Sequence, residues 1–119
     1  MKKLFTILAL TIGVSVSAQT GNTSTGTNAL ANNTTGDYNS AFGEGALNAN
    51  TEGNHNTASG YQSLYYNTGY YNTASGRSSL RSNITGSYNS ASGFQSLYKN
   101  TTGQWNTASG SSSLRSNTT

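Results

Sequence analysis

The chain has 119 residues, enough for one domain at most, and it lacks the usual equipment of an enzyme. Only 8% of its residues are charged, with one His, no Cys and no Pro, so disulfides, thiol catalysis and Cys-based zinc sites are excluded. Setting aside Lys2 and Lys3, four basic residues (Arg77, Arg81, Lys99, Arg115) face three acidic ones (Asp37, Glu44, Glu52), a net charge of +1, and this gives no ground for nucleic-acid binding.

Residues 1–18 read as a secretory signal peptide. Lys2 and Lys3 form the positive start, Leu4 to Val14 the apolar stretch, and Val16 and Ala18 suit the small positions before cleavage at Gln19. The apolar stretch is shorter than the roughly 20 residues of a membrane span. The mature chain, 19–119, is therefore expected outside the cytoplasm, secreted or at the cell surface or outer membrane, with no membrane span.

Everything after the signal is a repeat. Ala41-Phe42-Gly43, Ala58-Ser59-Gly60, Ala74-Ser75-Gly76, Ala91-Ser92-Gly93 and Ala108-Ser109-Gly110 open successive units at steps of 17, 16, 17 and 17 residues. A weaker unit opens at Ser24. Aligned on these landmarks, like residues fall in columns. One column is Leu: Leu30, Leu47, Leu64, Leu80, Leu97, Leu114. Two are Asn: Asn33, Asn50, Asn67, Asn83, Asn100, Asn117, and Asn39, Asn56, Asn72, Asn89, Asn106. A Gly column follows Gly36, Gly53, Gly69, Gly86, Gly103. An aromatic column runs Tyr38, His55, Tyr71, Tyr88, Trp105, with His55 as a stacking substitute. A double period overlies the single one, because Ala58–Ser90 matches Ala91–Thr119.

The period is too short for a helical hairpin repeat, and Gly, Ser, Thr and Asn disfavour helix. Each unit offers two short strand-like pieces, Asn-Thr-Ala-Ser and x-Ser-Leu-x, ended by Gly or by Asn-Thr-Thr-Gly turns. The expected fold is all-β, a parallel β-solenoid of about six 16–17-residue coils. Stacking in register sets like side chains about 4.8 Å apart, with Ala and Leu inward and Asn amides hydrogen-bonded along their columns. So thin and polar a core favours several chains sharing it, hence a homo-oligomer.

The units Asn56–Thr68 and Ser92–Gly103 resemble the head repeats of YadA-like trimeric autotransporter adhesins, and also repeats of secreted bacterial and phage tail-fibre-type proteins. The likeness covers residues 20–119. It implies a left-handed β-roll, a homotrimer, and a surface head that binds matrix or host components. The unit here is longer than the adhesin unit, and Ser59, Ser75, Ser92 and Ser109 occupy a position that is apolar there. The sequence shows no stalk, anchor or chaperone domain and stops mid-coil, as a fragment of a longer protein would.

Two surfaces carry candidate chemistry. Tyr65, Arg81, Tyr98 and Arg115 share one column, and Tyr61, Arg77 and Phe94 another. These seven side chains form either a binding strip for glycan, matrix protein or another surface, or a structural ladder of cation–π pairs. Thr57/Ser59, Thr73/Ser75, Ser90/Ser92 and Thr107/Ser109 flank the Ala column and resemble the water-ordering lattice of ice-binding solenoids; ordinary strand propensity accounts for them as well. Asn32-Asn33-Thr34 and Asn100-Thr101-Thr102 match glycosylation acceptors. No nucleophile–base pair, phosphate loop, metal site or cofactor site can be assembled. The expected function is a non-enzymatic adhesive or structural head module. The alternatives are a spacer within a larger surface or fibre protein, and an ice-binding solenoid.

Overall fold

A computed structural model describes residues 19–119. The signal peptide assigned to residues 1–18 lies outside the described residues. Six strands of three residues each recur along the chain: β1 (Thr23–Thr25), β2 (Ser40–Phe42), β3 (Thr57–Ser59), β4 (Thr73–Ser75), β5 (Ser90–Ser92) and β6 (Thr107–Ser109). They form one parallel sheet in sequence order, with no helix among the described residues. The register sets Ala41 beside Ala58, then Ala74, Ala91 and Ala108. Each strand is thus one coil further along a β-solenoid, as the repeat predicts.

Each strand exists because its neighbours do. Three residues of Thr, Ala and Ser could not hold an extended conformation alone, but pairing on both sides supplies the backbone partners. From β3 to β6 the central Ala is buried and its flanking Ser and Thr are exposed. The Gly that ends the strand has φ of 115–130° in the last five coils. A Cβ on Gly76 would stand 2.7 Å from the backbone of Gly93 in the next coil, so the position requires glycine on both counts.

The second strand-like piece is not a strand. Leu47, Leu64, Leu80 and Leu97 adopt the left-handed conformation, with φ of 50–51°. They sit between two turns. In the coil of β3, the Ser63 N–H donates to the Gly60 carbonyl at 3.2 Å, and the Asn67 N–H to the Leu64 carbonyl at 3.2 Å. Bonding between coils nevertheless continues through the turns. The Leu64 N–H donates to the Ser79 carbonyl at 3.0 Å, and the Leu80 N–H to the Ser96 carbonyl at 2.9 Å. Left-handed backbone is costly for a residue with a Cβ. That cost is offset because the kink turns the Leu side chain onto the Ala column, leaving all four of these leucines fully buried.

The Asn columns supply the rest of the interior. In one, each side-chain amide donates to the Oδ1 of the coil before it: Asn50 to Asn33 at 2.9 Å, Asn67 to Asn50 at 3.2 Å, Asn83 to Asn67 at 2.7 Å, Asn100 to Asn83 at 2.8 Å and Asn117 to Asn100 at 3.0 Å. In the other, Oδ1 accepts the backbone N–H of the Asn one coil later, as between Asn39 and Asn56 at 2.9 Å. Its Nδ2 reaches a carbonyl of that later coil, as from Asn72 to Gly86 at 2.8 Å. Among the described residues no buried side-chain polar atom lacks a partner. The core therefore closes within a single chain, and the expectation of a core shared between chains has no support in its burial.

The shortened coil shows how one residue is lost. In three other coils two or three successive N–H groups converge on one Thr carbonyl, as Ile84, Thr85 and Gly86 do on Thr101. In the 16-residue coil the Gly69 N–H turns instead to Oδ1 of Asn67, at 3.3 Å. The Asn column thus absorbs the deletion without loss of register.

Candidate functional site

The wall of the solenoid carries three kinds of row. The first unites most of the Tyr/Arg residues singled out from sequence. The Arg81 guanidinium lies 5.4 Å from the Tyr65 ring centre, 5.2 Å from that of Tyr66 and 5.9 Å from that of Tyr98. Arg115 covers the other side of this row, 5.3 Å from Tyr98. In the second column Arg77 lies 5.2 Å from Tyr61. Phe94 takes its expected place in that column and is exposed, but no cation–π contact joins it to Arg77 among the described residues.

Three further side chains belong here. Tyr66 packs on Arg81, edge-on to Tyr65 at 4.7 Å between ring centres. Gln62 and Gln95 accept the Nε–H of Arg81 and Arg115, at 2.9 and 2.8 Å. The double period held the signal for the glutamines, since each stands in the Gln-Ser-Leu-Tyr segment one coil before its arginine. A Gln among so many amides looked unremarkable in sequence. The result is one device built twice, two coils apart: a guanidinium over a Tyr ring and pinned at Nε.

The second row is the aromatic column. Tyr38, His55, Tyr71, Tyr88 and Trp105 stack with ring centres 5.0, 4.7, 5.1 and 4.1 Å apart and planes within 12° of parallel. His55 stacks between two tyrosines, the place its column assigns it. All five residues have φ between 56 and 61° and are exposed. Their faces are turned toward one another along the rod axis, so the wall presents ring edges, hydroxyls and one indole.

The third row is the outer face of the sheet. Thr57/Ser59, Thr73/Ser75, Ser90/Ser92 and Thr107/Ser109 point outward in register. Phe42 interrupts the Ser column near its start.

Charge is segregated along the rod. Asp37, Glu44 and Glu52 precede β3, whereas Arg77, Arg81, Lys99 and Arg115 follow β4. No ion pair joins the two sets among the described residues. Nor do three or more His, Asp or Glu side chains converge among them. Of the glycosylation-type asparagines, Asn100 is buried, with its amide committed to Asn83 and Gly103, while Asn32 is exposed. No protein-family model, curated protein or solved structure matches the chain.

Proposed function

We propose that the chain is a secreted or cell-surface repeat module that acts without catalysis as an adhesive or structural head. The observation that carries this reading is the recurrence of one surface chemistry along a rod whose interior is fully hydrogen-bonded. A recurring surface suits a recurring or extended partner, such as matrix protein, glycan or another cell surface, because weak contacts add along it. The stacked rings narrow the mode of contact. Sugar–aromatic stacking needs a free ring face, and within the column the inner faces are paired and only Trp105, at the end of the stack, keeps an open one, so binding along the row would use ring edges and the arginines. The test is solid-phase binding of the purified protein to a panel of matrix proteins and glycans. Saturable binding to at least one supports the adhesive role. A folded sample that binds none leaves the spacer role.

Self-association into a homotrimer belongs to the reading through the likeness to trimeric adhesin heads. It would use the outer rows, since the leucines are already covered within one chain. Export is part of the reading through the leader, and mass spectrometry of the exported protein should find Gln19 at its N-terminus. No helix long and apolar enough to cross a membrane occurs among the described residues.

A second reading rests on the sheet face, whose exposed Thr and Ser columns repeat in register at about 4.8 Å. Such a lattice could order water as an ice-binding face does. Thermal hysteresis and inhibition of ice recrystallisation would support it, and inactivity of a folded sample at high concentration would remove it.

A further inference from the structure

We propose that Arg81 and Arg115 form a two-point binding site for a linear uronic-acid polysaccharide, one carboxylate on each guanidinium. The proposal rests on the adhesive reading and names the class of its ligand.

The two arginines are pre-oriented in the same way. Each is fixed at Nε by a Gln Oε1, at 2.9 Å for Arg81 and 2.8 Å for Arg115, and each lies against Tyr98. Those contacts occupy the Nε–H and set aromatic rings against the guanidinium, Tyr98 on Arg115 and Tyr65, Tyr66 and Tyr98 on Arg81. The two terminal amino groups donate no hydrogen bond and form no ion pair to any described residue. They form the planar fork that binds a carboxylate through two parallel hydrogen bonds. An arginine already held by Gln and Tyr loses little side-chain freedom on binding, which favours affinity. Both are half-buried rather than fully exposed, so an arriving anion is only partly screened by water.

The spacing selects the polymer. Arg81 lies in the coil of β4 and Arg115 in the coil of β6, two coils and so roughly 10 Å apart along the axis. The coil between them places the Tyr98 ring in that row and no charge. A chain with one carboxylate per disaccharide alternates anionic and uncharged sugars, which suits Arg, Tyr, Arg. A chain ionised at every sugar would set a carboxylate on Tyr98. Lys99 and Arg77 add positive charge in the same coils, while the acidic residues all lie in the earlier coils. The ligand is thereby confined to the later half of the rod.

The test uses the purified protein and isothermal titration calorimetry with a hyaluronan octasaccharide, which carries one uronate per disaccharide. A chitin-derived oligosaccharide of equal length is the uncharged control, and polygalacturonate the fully ionised one. Hyaluronan should bind more tightly than polygalacturonate, and the neutral sugar should not bind. R81Q and R115Q should each weaken binding about ten-fold or more, the range for losing charge-assisted hydrogen bonds. R81K, which keeps the charge and discards the fork, should lose most of the same affinity. K99Q should lose only a few-fold, as for a screened charge. Circular dichroism confirms that each variant is folded, and R115Q stands in if R81Q is not. Equal binding of the neutral sugar, tighter binding of polygalacturonate, or wild-type affinity in R81K would overturn the proposal. Failure of hyaluronan alone, with other panel ligands bound, overturns the ligand class and leaves the adhesive reading. Failure of every ligand overturns both.

Discussion

Asn83 shows how one side chain can hold three coils. Its Nδ2 donates to Asn67 Oδ1 at 2.7 Å and to the Gly86 carbonyl at 2.8 Å, and its Oδ1 accepts from Asn100 at 2.8 Å. Replacement by Ala breaks the amide chain and removes buried hydrogen bonds on both sides, although Asn67 Oδ1 keeps Gly69 and Asn72 and Asn100 Nδ2 keeps the Gly103 carbonyl. Asn83→Ala should cost about 2–3 kcal/mol, read from chemical denaturation. Asn83→Asp is a sharper test because it nearly preserves shape. One carboxyl oxygen would then face Asn67 Oδ1 and the Gly86 carbonyl, both acceptors. Burial and these acceptors favour the protonated form, so the folded-state pKa rises above the unfolded value of about 3.9. The folded state then binds more protons than the unfolded state, and the stability of this variant should increase as pH falls from neutral toward about 4. The native protein, with Asn at this position, should lack that gain, and thermal melts across pH would separate the two.

At the scale of the coil, the decisive residues are the ones the chain bends around. Leu80 is fully buried, whereas Leu114 in the last described coil is 50% exposed. Leu80→Ala should cost about 2–5 kcal/mol, and Leu114→Ala well under 1 kcal/mol, in parallel denaturation curves. Gly76→Ala should disrupt at least the coils of β4 and β5, because the new Cβ meets the Gly93 backbone at a φ no other residue prefers; loss of cooperative melting would report it. The order of the coils and their register were legible in the sequence because stacking compels like residues into columns. The turn at each Leu was not. Leu carries no local signal for a left-handed backbone, and next to Ser it reads as half of a strand. Only its positive φ and the turn bonds on either side of it reveal the bend. The Arg–Tyr row was legible for the same reason as the register, while the glutamines that aim the arginines were lost among chemically similar neighbours.

For the whole molecule, the closed interior and the segregated charges make separate demands. A core complete in one chain allows a monomer to fold, so the proposed trimer must draw its stability from the exterior rows. Light scattering on the purified protein should give three times the chain mass, and the mass should fall toward one chain when exposed ring residues such as Tyr71 and Tyr88 are replaced by Ser. The far-ultraviolet spectrum should survive that dissociation. A spectrum lost together with the trimer would mean that the chains stabilise one another after all.

The side-chain amides of the Asn33–Asn117 column all run the same way, from each coil to the one before. A coil already in place therefore offers an open oxygen to the next arrival. A polypeptide delivered amino end first, as during synthesis, meets that acceptor as soon as each new seventeen residues emerge. Assembly can then proceed by accretion, with no long-range search and no need to hold the far end of the chain in waiting.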